Sequence, residues 1–175
     1  MKLNKGYVQV YTGDGKGKTT ACIGLAVRAL SRGLSVCLIR FLKGNDESGE
    51  CEFLRKSSPN ITIINTGLGD FITTAPKKEE INEAKRGLNE AGKAINSNKY
   101  DLVILEEINV AIDLNLIKLD ELVKIIKNKP ENVEIVLTGR GAKKEIIDVA
   151  DLVTEMKKIK HYYDKGVSAR RGIEK

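Results

Sequence analysis

The sequence predicts an α/β protein in which a mostly parallel β-sheet of about six strands is covered by helices on both faces. Strand-like and helical segments alternate along the chain, and the strand-like segments are apolar almost throughout. Parallel strands joined by helices are buried on both faces, which requires this composition. A third observation is a glycine-rich segment between the first strand and the first helix, the position at which such sheets bind phosphates.

The first half of the chain contains three predicted strands and three predicted helices, each marked by local signals. Gly33 closes the first helix, and Pro59 precedes the third strand. In the long third helix, apolar residues recur at three- and four-residue steps, which predicts one buried face. In chain order, these elements are strand Tyr7–Tyr11, helix Thr19–Arg32, strand Leu34–Leu42, helix Gly49–Lys56, strand Asn60–Asn65 and helix Lys77–Asn98.

The second half continues the alternation and ends in a segment of different character. Residues 157–175 are polar and aromatic without clear periodicity, so they form a C-terminal tail on a single domain of residues 1–175. The mixture of Tyr, Arg and Gly suggests a cover over a site, although composition alone favours a terminus packed on the surface. The remaining predicted elements are strand Tyr100–Leu105, helix Lys118–Lys127, strand Asn132–Thr138, helix Lys143–Val149 and strand Asp151–Met156.

The amino-acid composition argues against several classes of protein. The net charge of +6 is compatible with an anionic ligand or with nucleic acid. The Lys residues are dispersed among Glu and Asp, and Trp is absent, so nucleic acid is the weaker interpretation. Three widely spaced cysteines offer neither a disulfide framework nor a zinc pattern. Without a signal peptide or a membrane-spanning apolar run, a cytoplasmic protein with no membrane partner is expected.

The glycine-rich segment from Thr12 to Thr20 has the sequence T-G-D-G-K-G-K-T-T and resembles a phosphate-binding loop. Glycines allow backbone N–H groups to point at a phosphate, and the helix N-terminus adds partial positive charge. Lys18 would supply a full charge, and the Thr19 hydroxyl would supply a ligand for Mg²⁺. The loop departs from the usual pattern because Thr12 occupies the first glycine position. A glycine-rich turn without a ligand is the alternative.

An apolar strand that ends in Glu106 and Glu107 resembles a Walker B element, which holds Mg²⁺ directly or through water. Glu107 is interpreted as a metal ligand or as a base that orients water, and an acidic turn is the alternative. Arg140 closes the fifth strand and is compatible either with phosphate binding or with a solvated turn. His161 is the only histidine, so a two-histidine metal site is impossible.

These segments together resemble the CobA/BtuR-type ATP:corrinoid adenosyltransferases over nearly the whole chain. The similarity includes the altered loop, the segment Tyr100–Asn109, the segment Val136–Arg140 and the tail, which generic phosphate-loop proteins lack. The resemblance implies a P-loop NTPase-like (RecA-like) fold. It also implies transfer of the 5′-deoxyadenosyl group of ATP to the Co(I) of a corrinoid such as cobalamin or cobinamide, with release of triphosphate.

The resemblance also implies roles for individual residues. Thr19 and Glu107 would hold Mg²⁺ or Mn²⁺, and Lys18 would act with both in catalysis. Phe71 and Ile72 match the segment that displaces the lower ligand of the corrinoid, although some members of the family have a Trp there. Arg140 and His161 are further binding residues. The triphosphate would lie on the loop residues Gly13, Asp14, Gly15, Lys16, Gly17, Lys18, Thr19 and Thr20.

The family resemblance extends to partners, namely a flavoprotein reductant and a second copy of the chain in a homodimer. Two alternatives remain from the residues themselves. An ordinary P-loop ATPase would use Glu107 to orient water and would release ADP and phosphate. A nucleotide-dependent nucleic-acid-binding protein would bind DNA or RNA in a salt-sensitive manner.

Overall fold

The computed structural model describes residues 2–44, 48–69, 72 and 75–174, and within them the chain forms a six-stranded sheet. Every strand pair is parallel, and the strand order is β3-β2-β4-β5-β1-β6. The predicted α/β class and strand number are therefore confirmed. The strands are β1 (Val8–Thr12), β2 (Val36–Arg40), β3 (Ile61–Asn65), β4 (Leu102–Glu106), β5 (Glu134–Thr138) and β6 (Leu152–Glu155).

Five of the helices match predicted segments to within two residues at each end. They are α1 (Lys18–Ser31), α2 (Gly49–Ser57), α3 (Lys78–Asn96), α5 (Leu119–Lys127) and α6 (Lys144–Asp148). The helix α4 (Ile108–Asp113) and a 3-10 helix at Tyr162–Lys165 were not predicted. Both are too short to show a helical period, and α4 follows directly after the two carboxylates that end the apolar run of β4.

Two hydrophobic cores cover the two faces of the sheet. Helix α1 packs on β4 and β5, and helix α3 packs on β2 and β4 from the other side. Strand side chains alternate between the two cores, since successive residues point to opposite faces. The core on the α1 side consists of Cys22, Ala26, Ala29, Val36, Leu38, Cys51, Leu102, Ile104 and Val136. On the α3 side, the predicted helix face is buried at Ala84, Leu88, Ala91 and Ile95.

Strand order determines which side chains meet at the carboxyl edge of the sheet. β4 and β5 lie at the centre, between β2 and β1. The last residues of these four strands are Thr12, Arg40, Glu106 and Thr138, and all four are buried. In open α/β sheets ligands bind at this edge.

Among the described helices, none combines the length and the apolar character needed to cross a membrane.

Candidate functional site

The phosphate-loop residues occupy the connection from β1 to α1. Gly17 precedes α1 with φ 125°, a backbone conformation that favours glycine. Lys18 is the first helical residue, and its Nζ donates to the carbonyl oxygens of Gly13 (2.7 Å) and Gly15 (2.8 Å). The ammonium group therefore lies inside the curve of the loop. Burial lowers the pKa of Lys18.

The N-terminus of α1 completes this anion-binding arrangement. The first N–H groups of a helix have no acceptor within it, and no described side chain caps those of α1. The helix dipole adds partial positive charge at the same end. Exposed amide donors, the dipole and the Lys18 ammonium thus converge on one place, as binding of a polyphosphate requires.

The loop glycines also make room for the chain that leaves β6. A Cβ atom on Gly13 would lie 2.5 Å from the Met156 carbonyl oxygen, and a Cβ atom on Gly15 would lie 2.7 Å from it. The Gly15 N–H donates to that same oxygen at 2.7 Å. The glycine pattern of the loop therefore serves the packing of the tail, and one of its amides is directed at the tail.

Glu106 lies at the end of β4, fully buried, and has two charged or polar partners. Its Oε1 accepts a hydrogen bond from the Thr19 hydroxyl at 2.9 Å. Its Oε2 accepts from Nε of Arg40 at 2.8 Å. The sequence associated Thr19 with Glu107, whereas in the structure the Thr19 hydroxyl contacts Glu106.

Glu107 directly follows the strand and precedes α4 in a left-handed conformation with φ 61°. Its N–H donates to the Thr138 hydroxyl at 3.1 Å, which fixes its backbone against β5. Burial raises the pKa of Glu107, while the nearby positive charge of Lys43 is the largest opposing influence. Glu107 therefore presents a partly buried carboxylate beside positive groups at the carboxyl edge.

The donor set at this edge fits a hard divalent cation. A hydroxyl has one hydrogen and two lone pairs, and Thr19 gives its hydrogen to Glu106, so its lone pairs remain for a cation. The Glu107 carboxylate could provide a second oxygen ligand at the same edge of the sheet. No group of three or more His, Cys, Asp or Glu side chains in the described part of the chain is arranged to hold a metal. Few protein ligands, completed by substrate phosphates, are typical of Mg²⁺.

Arg140 lies on the exposed turn after β5. Its charge influences the pKa values of Lys18 and Glu107, although in both cases burial of the group itself is the largest cause. The structure therefore brings Arg140 close to the loop and to the carboxylate. This placement is compatible with phosphate binding, while the exposure of Arg140 is equally compatible with a solvated turn.

The tail reaches the loop through Lys16. Nζ of Lys16 donates to Glu174 Oε1 at 2.8 Å and to the Tyr162 hydroxyl at 2.9 Å. Arg170 pairs with the same carboxylate at 3.1 Å and lies over the Tyr162 ring at 5.0 Å. Asp14 accepts from the Lys158 N–H at 3.0 Å. Both ends of the tail are thereby attached to the loop.

His161 contacts its own neighbours in the tail. Its Nδ1 accepts from the Tyr163 N–H at 3.1 Å and so caps the 3-10 helix of the tail. The ring lies 4.8 Å from that of Tyr162, centroid to centroid. His161 therefore shapes the tail segment that carries a Lys16 partner.

The predicted corrinoid segment is described in part. Phe71 lies outside the described residues. Ile72 is half-buried, packs against the core on the α3 side and borders a small cavity. The other residues that line this cavity are Leu42, Gly67, Leu68, Glu80 and Ala84. An apolar surface thus lies next to the carboxyl edge of β2.

Four residues of this region were not predicted from the sequence to take part in the site, namely Arg40, Lys43, Tyr162 and Glu174. The run V-C-L-I-R-F-L contained a signal for Arg40, because a charge inside a buried apolar strand needs a partner. Lys43 follows the same strand at the carboxyl edge. Tyr162 and Glu174 belong to the tail that carries part of the family resemblance, but their contacts with Lys16 depend on how the tail folds back.

The chain is similar to known proteins over nearly its whole length. The family model of the ATP:corrinoid adenosyltransferases BtuR/CobO/CobP matches residues 4–174. A corrinoid adenosyltransferase of Sinorhizobium sp is 37% identical over 173 residues, which cover 97% of this chain and 80% of the relative. One of Pseudomonas aeruginosa is 32% identical over 170 residues, covering 97% of this chain and 84% of the relative. One of Escherichia coli is 32% identical over 171 residues, covering 97% and 86%.

Proposed function

Because the chain belongs to the family of ATP:corrinoid adenosyltransferases BtuR/CobO/CobP, we propose that it transfers the 5′-deoxyadenosyl group of ATP to the Co(I) of a corrinoid. Co(I) attacks the ribose C5′ carbon, the bond from C5′ to oxygen breaks, and inorganic triphosphate leaves. With cobalamin the product is adenosylcobalamin. The observation that carries this proposal is the match over residues 4–174, which includes both the altered loop and the tail.

The phosphate loop and the N-terminus of α1 are proposed to bind the triphosphate of ATP. Lys18 has two neutral carbonyl partners within the loop. A phosphate oxygen carries charge and makes a stronger hydrogen bond than a carbonyl, so we expect the ammonium to exchange one acceptor for the other. We propose that Lys16 and Arg140 add positive charge around the triphosphate. Concentrated positive charge stabilises triphosphate as it leaves.

Mg²⁺ or Mn²⁺ would be held by Thr19 and Glu107 together with the nucleotide. When bound, the metal neutralises charge on the leaving triphosphate. The residues themselves perform three tasks in this proposal. Thr19 supplies lone pairs, Glu107 supplies a carboxylate, and Glu106 orients the Thr19 hydroxyl.

The corrinoid is proposed to bind beside the segment that contains Phe71 and Ile72. Apolar side chains in this segment would favour a corrinoid without its lower ligand, which is easier to reduce to Co(I). The cavity at Ile72 supplies such an apolar surface. His161, within the tail, is proposed to help cover the nucleotide. The tail, residues 157–175, would then close over the site of a single domain.

The reaction also leads to proposals about the reductant and the cellular compartment, and the family resemblance leads to one about the oligomeric state. Co(I) must be generated by a reductant, for which we propose a flavoprotein. A compartment that is reducing and rich in ATP suits the reaction, so a cytoplasmic location is proposed. The described cysteines are unpaired and buried, in agreement with reducing conditions. A homodimer is proposed from the family resemblance.

An anaerobic assay tests the function directly. Purified protein is mixed with Mg·ATP and chemically reduced cob(I)alamin, loss of the Co(I) absorbance is followed, and the products are separated by chromatography. Light-sensitive adenosylcobalamin with stoichiometric triphosphate is the expected result. ADP and phosphate formed without cobalamin would instead identify an ordinary P-loop ATPase. Lys18→Ala is the matched variant, and near-normal turnover in it would overturn the assignment of the loop.

A further inference from the structure

Two apolar rows of the sheet end in a buried pair of opposite charges beneath α1. Arg40 and Glu106 are register partners on the neighbouring strands β2 and β4. Their side chains are 3% and 1% exposed. Alternation along each strand places them on the α1 face, after the core residues Val36, Leu38, Leu102 and Ile104.

Stability alone is a poor reason for an ion pair at this position. Moving both charges out of water is costly, and buried pairs are often replaced by apolar residues without loss of stability. An Arg at the end of an apolar strand therefore calls for another explanation. The contact of Glu106 with the Thr19 hydroxyl provides one.

The Thr19 hydroxyl has competing partners, since a helical threonine can also donate to a backbone carbonyl one turn earlier. Its contact with Glu106 Oε1 at 2.9 Å selects the conformation in which the hydroxyl faces the strand ends. The second carboxylate oxygen is held by Nε of Arg40 at 2.8 Å. Arg40 thus fixes the acceptor that orients Thr19.

We propose that Arg40 is a positioning residue for the metal site, and that the Arg40–Glu106 pair holds the Thr19 oxygen where it binds the divalent cation of Mg·ATP. This inference rests on the proposed function, because it takes Thr19 as a metal ligand. The role proposed for Arg40 is indirect and requires no contact with substrate or metal. Its effect on the cation passes through Glu106 and Thr19.

The test compares ATP binding with and without Mg²⁺, measured by calorimetry. The main variant is Arg40→Met/Glu106→Leu, which removes both charges and keeps similar volumes. We expect metal-free ATP to bind as in the wild type, because the loop and Lys18 are unchanged. Mg²⁺ should bind the ATP complex roughly 10- to 100-fold more weakly, the usual effect of losing an outer-shell partner.

A second background shows whether the effect passes through Thr19. In Thr19→Val, the Arg40→Met/Glu106→Leu change should cost no further Mg²⁺ affinity, because the ligand that it positions is already lost. Asp101→Asn is the control, since Asp101 is a buried carboxylate at the opposite end of β4 and bonds the Ser35 N–H. It should leave the Mg²⁺ affinity unchanged.

The outcomes separate the inference from the function on which it rests. If Mg²⁺ strengthens ATP binding in the wild type and equally in Arg40→Met/Glu106→Leu, the positioning role of Arg40 is refuted. The role is also refuted if Arg40→Met/Glu106→Leu lowers the Mg²⁺ affinity as much in the Thr19→Val background as in the wild type. If Thr19→Val itself leaves Mg²⁺ binding unchanged, the proposed metal role of Thr19 fails and the inference falls with it.

A conservative variant covers the case in which the double replacement does not fold. Arg40→Lys keeps both charges but loses the planar guanidinium that presents Nε to Glu106. We expect weaker Mg²⁺ binding with unchanged metal-free ATP binding. Wild-type Mg²⁺ affinity in folded Arg40→Lys would refute the role assigned to the guanidinium geometry.

Discussion

Replacing Gly15 by alanine is expected to separate the phosphate loop from the chain that leaves β6. The new Cβ would lie 2.7 Å from the Met156 carbonyl oxygen and 2.9 Å from the Lys157 carbonyl carbon. Both are backbone atoms, so no side-chain rotation relieves the contact. To reach ordinary van der Waals separation, the segment must retreat by roughly 0.7 Å. The Gly15–Met156 hydrogen bond, now 2.7 Å, then becomes too long to persist.

The expected cost of Gly15→Ala combines two effects. Loss of the backbone hydrogen bond costs about 0.5–1.5 kcal/mol. Forcing a methyl group into a filled space costs about 1–3 kcal/mol. We therefore expect the free energy of unfolding, measured in urea without nucleotide, to fall by about 1.5–4.5 kcal/mol. Proteolysis within the tail should become faster, because Met156 directly precedes the tail.

Gly24→Ala is the matched control for this prediction. Gly24 lies within α1, and a Cβ there would meet nothing within 4 Å. Alanine is the better helix former, so this variant should gain about 0.5–1 kcal/mol. The reasoning is refuted if Gly15→Ala unfolds like the wild type while Gly24→Ala shows its gain, since the close approach of tail and loop would then cost nothing.

Three further predictions concern the carboxylates and the corrinoid. Burial raises the pKa of Glu107, so the folded protein favours the protonated side chain. The stability that this provides is fully present below the ordinary Glu pKa and is lost as the pH rises. Glu107→Gln should therefore gain stability over the wild type between about pH 4.5 and neutrality, measured by urea unfolding; a pH-independent difference would contradict this. Hydrogen bonds from Arg170, and next from Lys16, hold the pKa of Glu174 far below its usual range. The tail should thus resist proteolysis down to about pH 4.5 and lose protection below it, whereas tail cleavage in Glu174→Gln at neutral pH should be fast. Phe71→Ala should impair four-coordinate Co(II) formation more than ATP binding, and unchanged Co(II) spectra would remove Phe71 from the mechanism.

The sequence predicted the fold well because its strongest signals are local. Continuous apolar strands and amphipathic helices determine the α/β class without knowledge of strand order. The loop from Gly13 to Lys18 was found because its glycines and lysine are contiguous in sequence. Helix α4 was missed because its six residues are too few to show a helical period, and the left-handed Glu107 that precedes it has no sequence signature.

The partners within the site could not be predicted, because they come from strands that are distant in sequence. Glu106 and Glu107 are adjacent, and the sequence did not show which of them would turn inward. Both faces of β4 are apolar, so alternation alone does not say which one lies under α1. The pairing of Arg40 with Glu106 requires β2 to be the neighbour of β4, a fact of topology that no local pattern contains.

The unusual glycine pattern of the loop follows from its neighbours in the fold. Gly13 and Gly15 lie where the backbone at Met156 approaches, so glycine is required there even before a nucleotide is considered. Thr12 stands where glycine is usual, and its buried hydroxyl accepts from the Ala142 N–H at 3.2 Å. That bond ties the turn that carries Arg140 to the end of β1. In the altered loop, Thr12 replaces a glycine and stabilises the turn on one side of the site. On the other side, Gly13 and Gly15 leave room for the backbone at Met156.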